Sequence, residues 1–219
     1  MEILIIGSHG NLAEAKLKFG VIHSYAHAEN YRLASALIGT GVVVFDFLTE
    51  EDGAHVGIYN GPNTPIVFLN TSTTSLKTLI AKRNIQNIVY GFCGLPTLLN
   101  RSILEVSLRT KEDFQSVEKI CEELKTGFKV VMDQAGMVTP RVVCLIINEA
   151  YRTFAESIAT REDIDLAMKL GTNYPYGPFD WCKRIGIKNV YNVLNSAYLE
   201  SNDERYLVCP LLKEEVISH

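Results

Sequence analysis

The segment IVYGFCGLPTLLNRSILEV, Ile88–Val106, contains residue types that could do chemistry where a predicted strand ends. Cys93 could be a nucleophile, and Glu105 could be a catalytic acid or base. The segment could equally be a strand that leaves a core. A reactive cysteine needs a positive local environment, and no base is evident within this segment. We therefore expect Cys93 to be a buried, unreactive thiol.

A second candidate is the sequence IIGSHGN, Ile5–Asn11, which follows the first predicted strand. A dinucleotide-binding turn needs glycines here, because backbone N–H groups approach a pyrophosphate at a helix N-terminus. Gly7 and Gly10 are present, but His9 replaces the second glycine, and the third is missing. The acid expected after the second predicted strand would be Asp46, well beyond the usual interval of about 20 residues. Nucleotide binding and a plain strand-ending turn both remain open.

The remaining candidates are weaker. His23 and His27 are four residues apart and could share a helix face, but no third ligand is evident, so we predict no metal site. The five cysteines show no Cys-x-x-Cys spacing, which argues against a disulfide or zinc framework and suits a reducing cytoplasm. The loop YPYGPFDW, Tyr174–Trp181, could line a ligand or dimer surface, or form a rigid turn.

The overall composition excludes several classes of function. The 219 residues carry a net charge of −4, so there is no basic footprint for nucleic acid. No apolar run reaches the roughly 18 residues of a membrane span. The N-terminus enters EILII without a basic region, so we expect no signal peptide and a cytoplasmic location.

Short apolar runs alternate with helical patterns over the first 130 or so residues. Helical spacing covers Ala26–Ile38 and, more clearly, Lys111–Lys125. Such alternation predicts an α/β fold with a parallel sheet. The predicted strands are Glu2–Ile6, Val42–Phe47, Ile66–Leu69, Ile88–Tyr90 and Phe128–Met132.

The pattern changes near residues 133–138 and becomes helical. We therefore predict an α/β domain over residues 1–134 and an all-α domain over residues 135–219. Thr160 and Asp163 are spaced as a capping box at the start of the second helix. The predicted helices are Arg141–Ser157, Thr160–Leu170, Phe179–Ile185 and Val190–Leu199.

The stretch Ile147–Leu194 resembles the C-terminal domain of the 3-hydroxyacyl-CoA dehydrogenases. The resemblance is carried by Asn-Glu-Ala, Glu-Asp-Ile-Asp, Met-Lys-Leu-Gly and Pro-x-Gly-Pro-Phe. A thinner resemblance reaches back to about Ile66, through Asn70–Leu76, Ile103–Val106 and Val130–Arg141. It implies a Rossmann domain that binds NAD and a helical domain that dimerises, like that of 6-phosphogluconate dehydrogenase. The resemblance also implies that an acyl-CoA, a small-molecule ligand, would lie in the cleft between the two domains.

The resemblance also implies site residues. The family uses a histidine as general base, a glutamate that orients it, and a serine and an asparagine near the reacting oxygen. Glu105 matches the glutamate and Ser72 the serine, while Gly7, Gly10 and Asn70 are assigned to the cofactor. The histidine matches Phe92 or Cys93, depending on the alignment, and the asparagine matches Pro140.

We therefore predict a family member whose catalytic histidine is missing and whose activity is weak or lost. The alternative is a non-catalytic dimeric module that binds acyl-CoA or a nucleotide, or mediates interactions. The Rossmann-like domain should also be shortened, because only about two βαβ units of roughly 30 residues fit before Asn70.

Overall fold

The structure is a computed structural model that describes residues 1–49, 53–61, 63, 65–83, 87 and 89–218. These residues form two compact units. The first extends from Met1 to Met137, and the second begins at Val138. No helix in the described ranges combines the length and the apolar character needed to span a bilayer.

The first unit contains a seven-stranded sheet with the order β2-β1-β3-β4-β5-β6-β7. Strands β1 to β5 are mutually parallel, β6 runs antiparallel to β5, and β7 runs parallel to β6. The side at which β1 to β5 end is called the carboxyl edge below. The strands are β1 Glu2–Ile6, β2 Ser24–Ala28, β3 Val43–Asp46, β4 Ile66–Asn70, β5 Val89–Phe92, β6 Ile103–Leu108 and β7 Gly127–Val130.

Helices cover both faces of this sheet. The strand residues Phe45, Phe68 and Phe92 pack on one face with α1 and α4. The strand residues Val44 and Val67 pack on the other face with α2 and α3. Burial on both faces explains why the central strands are almost purely apolar. The helices of this unit are α1 His9–Phe19, α2 Tyr31–Ala34, α3 Leu76–Arg83 and α4 Phe114–Glu123.

The α/β fold class is confirmed, and the strands predicted at β1, β3 and β4 match within two residues. The last predicted strand lies slightly earlier, at β7, and Ile88 lies outside the described residues. The helix predicted over Ala26–Ile38 is wrong, because this range holds the end of β2 and only the short α2. β2 is an edge strand with mostly half-exposed side chains, so it lacks the apolar run that marks its neighbours.

The sheet also shows where the nucleotide-binding half is shortened. A dinucleotide fold has the strand order 3-2-1-4-5-6, with two strands outside its first. Here one strand of the described chain, β2, lies outside β1. The strand β6 was not predicted from the sequence.

The second unit is helical. The four predicted helices are present with slightly shifted ends, and Thr160 is the N-cap of α6, with its side chain accepting the N–H of Asp163. The C-terminal helix α9 was not predicted. The helices are α5 Thr139–Ala155, α6 Arg161–Thr172, α7 Pro178–Ile185, α8 Ile187–Ser201 and α9 Pro210–Ser218.

Candidate cofactor cleft and active-site segment

The strand order reverses at β1. The chain passes from β1 through α1 to β2 on one side, and then to β3 on the other side of β1. In open α/β sheets, ligands bind outside the carboxyl ends of the strands at such a reversal. The turn that follows β1 and the first residues after β2 and β3 therefore border the candidate cofactor cleft.

Gly7 is required by the packing of this turn. A Cβ atom on Gly7 would lie 2.6 Å from Asn11 Oδ1 and 3.0 Å from Phe47 Cβ. The turn is closed by a capping box, in which Asn11 N–H donates to Ser8 Oγ at 3.2 Å and Ser8 N–H donates to Asn11 Oδ1 at 2.8 Å. A Cβ on Gly10 would make only an ordinary contact with Ser8 Oγ at 3.4 Å. Only the first of the two predicted glycines is therefore sterically required.

Glu29, rather than Asp46, is the acid that follows the second strand. It stands directly after β2 and about 20 residues after Gly10, the spacing at which dinucleotide folds place the carboxylate that binds the ribose hydroxyls. Its side chain is 59% exposed, so the carboxylate is accessible. Sequence reasoning missed Glu29 because β2 was interpreted as part of a helix.

Asp46 is instead a buried structural acid. Its carboxylate accepts hydrogen bonds from the hydroxyls of Tyr59 at 2.8 Å and Tyr31 at 3.0 Å, and from Leu48 N–H at 2.9 Å. Burial raises the pKa of Asp46 to about 6, and the hydrogen bonds of the two tyrosines and of Leu48 oppose that rise. A fully buried carboxyl group of this kind holds the end of β3 in place and offers no free oxygen to a ribose.

Two histidines lie at the carboxyl edge of the sheet. His9 Nε2 lies 3.4 Å from Glu29 Oε1, and its ring packs on that of His27 with the centroids 4.7 Å apart. His27 Nε2 lies 2.8 Å from the carbonyl oxygen of Gly7. The prediction that His23 and His27 share a helix face is wrong, because His27 belongs to strand β2. Among the described residues, no group of three His, Cys, Asp or Glu side chains could hold a metal ion.

These residues fit the adenosine half of NAD. Gly7 allows a tight turn into α1, and Glu29 presents an exposed carboxylate after the neighbouring strand. The departure from the usual pattern is His9, whose ring occupies a position normally left open by glycine.

The candidate active-site segment, which contains Cys93 and Glu105, lies farther along the carboxyl edge of the sheet. Phe92 pairs with Val106 across β5 and β6, which brings Cys93 and Glu105 to neighbouring positions. Cys93 Sγ lies 3.8 Å from Ser72 Oγ. Phe92 itself is fully buried in the core, with its ring 5.2 Å from that of Phe45 and 5.1 Å from that of Phe47. Of the two residues that could match the family's histidine, Cys93 therefore lies beside the predicted serine.

The side chains of Ser72 and Asn70 bind each other. Ser72 Oγ donates to Asn70 Oδ1 at 2.6 Å, and Gly94 N–H donates to the same oxygen at 3.0 Å. A Cβ on Gly94 would lie 2.7 Å from Asn70 Cγ, so the backbone fits closely around this amide. The assignment of Asn70 to cofactor binding stays a prediction. Its side-chain oxygen Oδ1 already accepts hydrogen bonds from Ser72 and Gly94.

Cys93 is a buried thiol. Its side chain is 3% exposed, and burial raises its pKa to about 12, with the negative charge of Glu105 adding to the rise. A thiol with this pKa stays protonated at neutral pH and is a poor nucleophile. This agrees with the expectation from the sequence.

Glu105 pairs with Arg101. The Arg101 Nη1 atom lies 3.4 Å from Glu105 Oε1, and the side chain of Glu105 is 7% exposed. The histidines with described side chains, His9, His23 and His27, lie in or beside β1 and β2. At about 4.8 Å per strand, they are roughly 15 Å or more from β5. The side chain of His55 lies outside the described residues.

The loop between β5 and β6 is held by two residues of α1 that sequence reasoning missed. Glu14 accepts backbone N–H groups from Thr97 at 3.2 Å, Leu99 at 3.0 Å and Asn100 at 3.1 Å. Lys18 Nζ donates to the carbonyl oxygen of Arg101, and burial lowers the pKa of Lys18 to about 8. The available signal was the four-residue spacing of Glu14 and Lys18, which places both on one face of α1.

The second unit contains an apolar groove of about 510 Å³ between α5 and α6, lined mainly by Ile146, Ala150, Ile164, Ala167 and Met168. Pro140, which the resemblance matches to the family's asparagine, lies in the first turn of α5 and is buried. In the aromatic loop, the rings of Tyr174 and Tyr176 pack on Trp181 at 5.9 Å and 6.2 Å. The loop thus packs on its own aromatic side chains, as a rigid turn would.

Comparison with known proteins gives a consistent result. Residues 136–218 match the family model of the 3-hydroxyacyl-CoA dehydrogenase C-terminal domain. Over 154 residues, the chain is 30% identical to 3-hydroxybutyryl-CoA dehydrogenase of Clostridioides difficile, covering 69% of this chain and 55% of that protein. Over 87 residues, it is 38% identical to 3-hydroxyadipyl-CoA dehydrogenase of Escherichia coli, covering 40% of this chain and 18% of that protein. The chain thus spans about half the length of the first of these relatives and a smaller share of the second.

A solved structure gives the same fold. The (S)-3-hydroxybutyryl-CoA dehydrogenase of Ralstonia eutropha superposes with a TM-score of 0.73 at 22% identity, covering 99% of this chain and 93% of that one. At this identity, the likeness establishes the fold and not the activity.

Proposed function

The chain belongs to the 3-hydroxyacyl-CoA dehydrogenase family, and from that membership we propose that it binds NAD(H) and an acyl-CoA-type ligand. We propose further that it oxidises 3-hydroxyacyl groups weakly or not at all. In this reading, the protein is an oxidoreductase by descent that has kept its binding functions and lost its general base.

The single observation that carries this proposal is the Arg101–Glu105 pair beside Cys93. A general base must accept a proton near neutral pH. A guanidinium stays protonated and has no acceptor atom, and the pKa of the Cys93 thiol is about 12. Glu105, which in the family would orient an imidazole, is instead 3.4 Å from a guanidinium. Neither neighbour can take a proton from a substrate hydroxyl.

The cofactor part of the proposal depends on Gly7 and Glu29. Gly7 permits the turn into α1, and the Glu29 carboxylate would accept hydrogen bonds from the ribose hydroxyls. NAD, when bound, would supply hydride transfer. Ser72 donates its one hydroxyl proton to Asn70 Oδ1 at 2.6 Å, so it would have to leave that bond to donate to a substrate carbonyl oxygen.

Two assays test this proposal. Purified protein is titrated with NADH by fluorescence and then given acetoacetyl-CoA while nicotinamide absorbance is followed. We expect NADH binding with turnover that is lower than a base-containing family enzyme by about 10²–10⁴, the usual contribution of a general base. Glu105→Gln should leave any residual rate unchanged, as should the matched control Glu118→Gln on the exposed face of α4.

The two parts of the proposal fail separately. Efficient turnover that Glu105→Gln abolishes would show that Glu105 supports catalysis and that the base is present. The absence of binding by NADH, NAD and acyl-CoA alike would remove the binding function. Either result is read from the same protein preparation.

We also propose that the helical unit forms a homodimer through the exposed apolar side chains of α5 and α6. Val142 of α5 is 52% exposed, and Leu166 and Leu170 of α6 are 54% and 78% exposed. Exposed apolar patches mark association sites in soluble proteins. We expect sizing chromatography to give a dimer at micromolar concentration and Leu166→Glu to give a monomer, whereas a monomeric wild-type protein would refute the proposal.

A further inference from the structure

His9 and Glu29 form a bridge across the candidate cofactor cleft. His9 is the first residue of α1, where a dinucleotide fold places the pyrophosphate. Glu29 follows β2, where such a fold places the adenosine ribose. The strands β1 and β2 are direct neighbours, with Ile6 opposite Ala28. The contact of 3.4 Å between His9 Nε2 and Glu29 Oε1 therefore joins the two places that a dinucleotide would have to contact together.

The His9 ring packs against the ring of His27, which is itself held by the backbone of Gly7. It packs on His27 at 4.7 Å between centroids, and His27 contacts the carbonyl oxygen of Gly7 at 2.8 Å. Both members of the pair remain accessible, at 79% for His9 and 59% for Glu29. An accessible ion pair is weak, so a ligand can displace it. The contact is thus built to weaken binding rather than to prevent it.

We infer that His9 holds the Glu29 carboxylate and thereby sets both the affinity and the selectivity of the dinucleotide site. This inference rests on the proposed binding of NAD(H). An NADH ribose must compete with His9 for the carboxylate, so His9 weakens NADH binding. An NADPH ribose carries a 2′-phosphate that the carboxylate repels, and the imidazolium offsets this repulsion. His9 therefore makes the site less selective for NADH over NADPH.

The test is a double-mutant cycle read by NADH and NADPH fluorescence. The proteins are wild type, His9→Gly, Glu29→Gln and the double variant. We expect His9→Gly to bind NADH about two- to fivefold more tightly and NADPH about two- to fivefold more weakly, the range for an exposed ion pair. In the Glu29→Gln background, His9→Gly should no longer tighten NADH binding, because no carboxylate is left for His9 to hold.

His9→Asn separates charge from bulk, because it removes the imidazolium and keeps a side chain. It should reproduce the loss of NADPH affinity. Equal affinities in wild type and His9→Gly would overturn the inference while leaving NAD(H) binding intact. Tighter binding of both cofactors by His9→Gly would reduce the effect of His9 to bulk and would also overturn it. Absence of binding in all variants would overturn the proposed function, and this inference with it.

Discussion

Gly177 packs directly against the side chain of Asp165. A Cβ atom on Gly177 would lie 2.3 Å from Asp165 Cγ. The Asp165 carboxylate accepts the backbone N–H groups of Phe179 at 2.7 Å and Asp180 at 3.0 Å, in the first turn of α7. A carboxylate at a helix N-terminus satisfies otherwise unpaired donors and opposes the positive end of the helix dipole. In this chain, the Glu-Asp-Ile-Asp and Gly-Pro-Phe sequences that carry the resemblance therefore contact each other.

Gly177→Ala should destabilise the protein by about 2–4 kcal/mol, because the methyl group overlaps the side chain of Asp165, whose carboxylate caps α7. The overlapped atoms are not the end of a long flexible side chain, so they cannot move aside easily. The free energy of unfolding is measured by urea titration. The matched control is Gly171→Ala in α6, where a Cβ meets nothing within 4 Å. That variant should be neutral or more stable by up to about 1 kcal/mol. Equal effects at the two glycines would contradict this account.

The stability of the first unit should depend on the ionisation of Asp46. Its pKa is raised from 3.8 to about 6, so the folded state binds its proton more tightly than the unfolded state. The stabilisation is complete below about pH 4 and is lost as the pH rises through about 6. At 1.36 kcal/mol per pH unit, this corresponds to a loss on the order of 3 kcal/mol.

This loss is seen as a difference from Asp46→Asn, which cannot ionise. The unfolding free energy of wild type should fall relative to that of the variant between about pH 4 and pH 7. The exposed-site variant Glu118→Gln serves as the control and should run parallel to wild type over this range. A constant difference between wild type and Asp46→Asn would refute the raised pKa.

The five thiols should be unreactive in the native protein. None of the five cysteines forms a disulfide, and all five are buried. Burial raises the pKa of Cys93 and of Cys121 to about 12 and that of Cys182 to about 11. Because the thiolate is the reactive form, we expect fewer than one thiol per chain to react with Ellman's reagent at about pH 8, and all five after denaturation. Rapid reaction of one native thiol that Cys93→Ala removes would revive a cysteine-based mechanism.

The sequence predicts most of the sheet and the helical unit, because these elements have uniform periodicity. Strands such as Val43–Asp46 are buried on both faces and read as apolar runs, and α5 repeats its apolar residues at helical spacing. The edge strand Ser24–Ala28 carries neither signal. Missing it moved the expected ribose acid from Glu29 to Asp46, so one error in secondary structure became an error in the site.

Contacts between distant residues could not be predicted from the sequence. Arg101 and Glu105 are separated by four residues, yet their pairing depends on how the loop between β5 and β6 is held. That loop is fixed by Glu14, more than 80 residues earlier in the chain. No local pattern specifies which backbone a single carboxylate will reach.

Glu14 anchors the loop between β5 and β6 to helix α1. The carboxylate of Glu14 accepts three backbone N–H groups, and hydrogen bonds to a charged group contribute about 1.5–3 kcal/mol each when first removed. Glu14→Gln keeps one acceptor oxygen and loses the charge, so we expect a loss of about 2 kcal/mol in unfolding free energy. The amides of Leu99 and Asn100 should exchange with solvent at least about tenfold faster, since local opening becomes easier.

Glu118→Gln, whose side chain lies on the exposed face of α4, should change neither quantity. If Glu14→Gln left both amides protected, the loop would be fixed by its own packing, and the position of Arg101 beside Glu105 would not depend on α1.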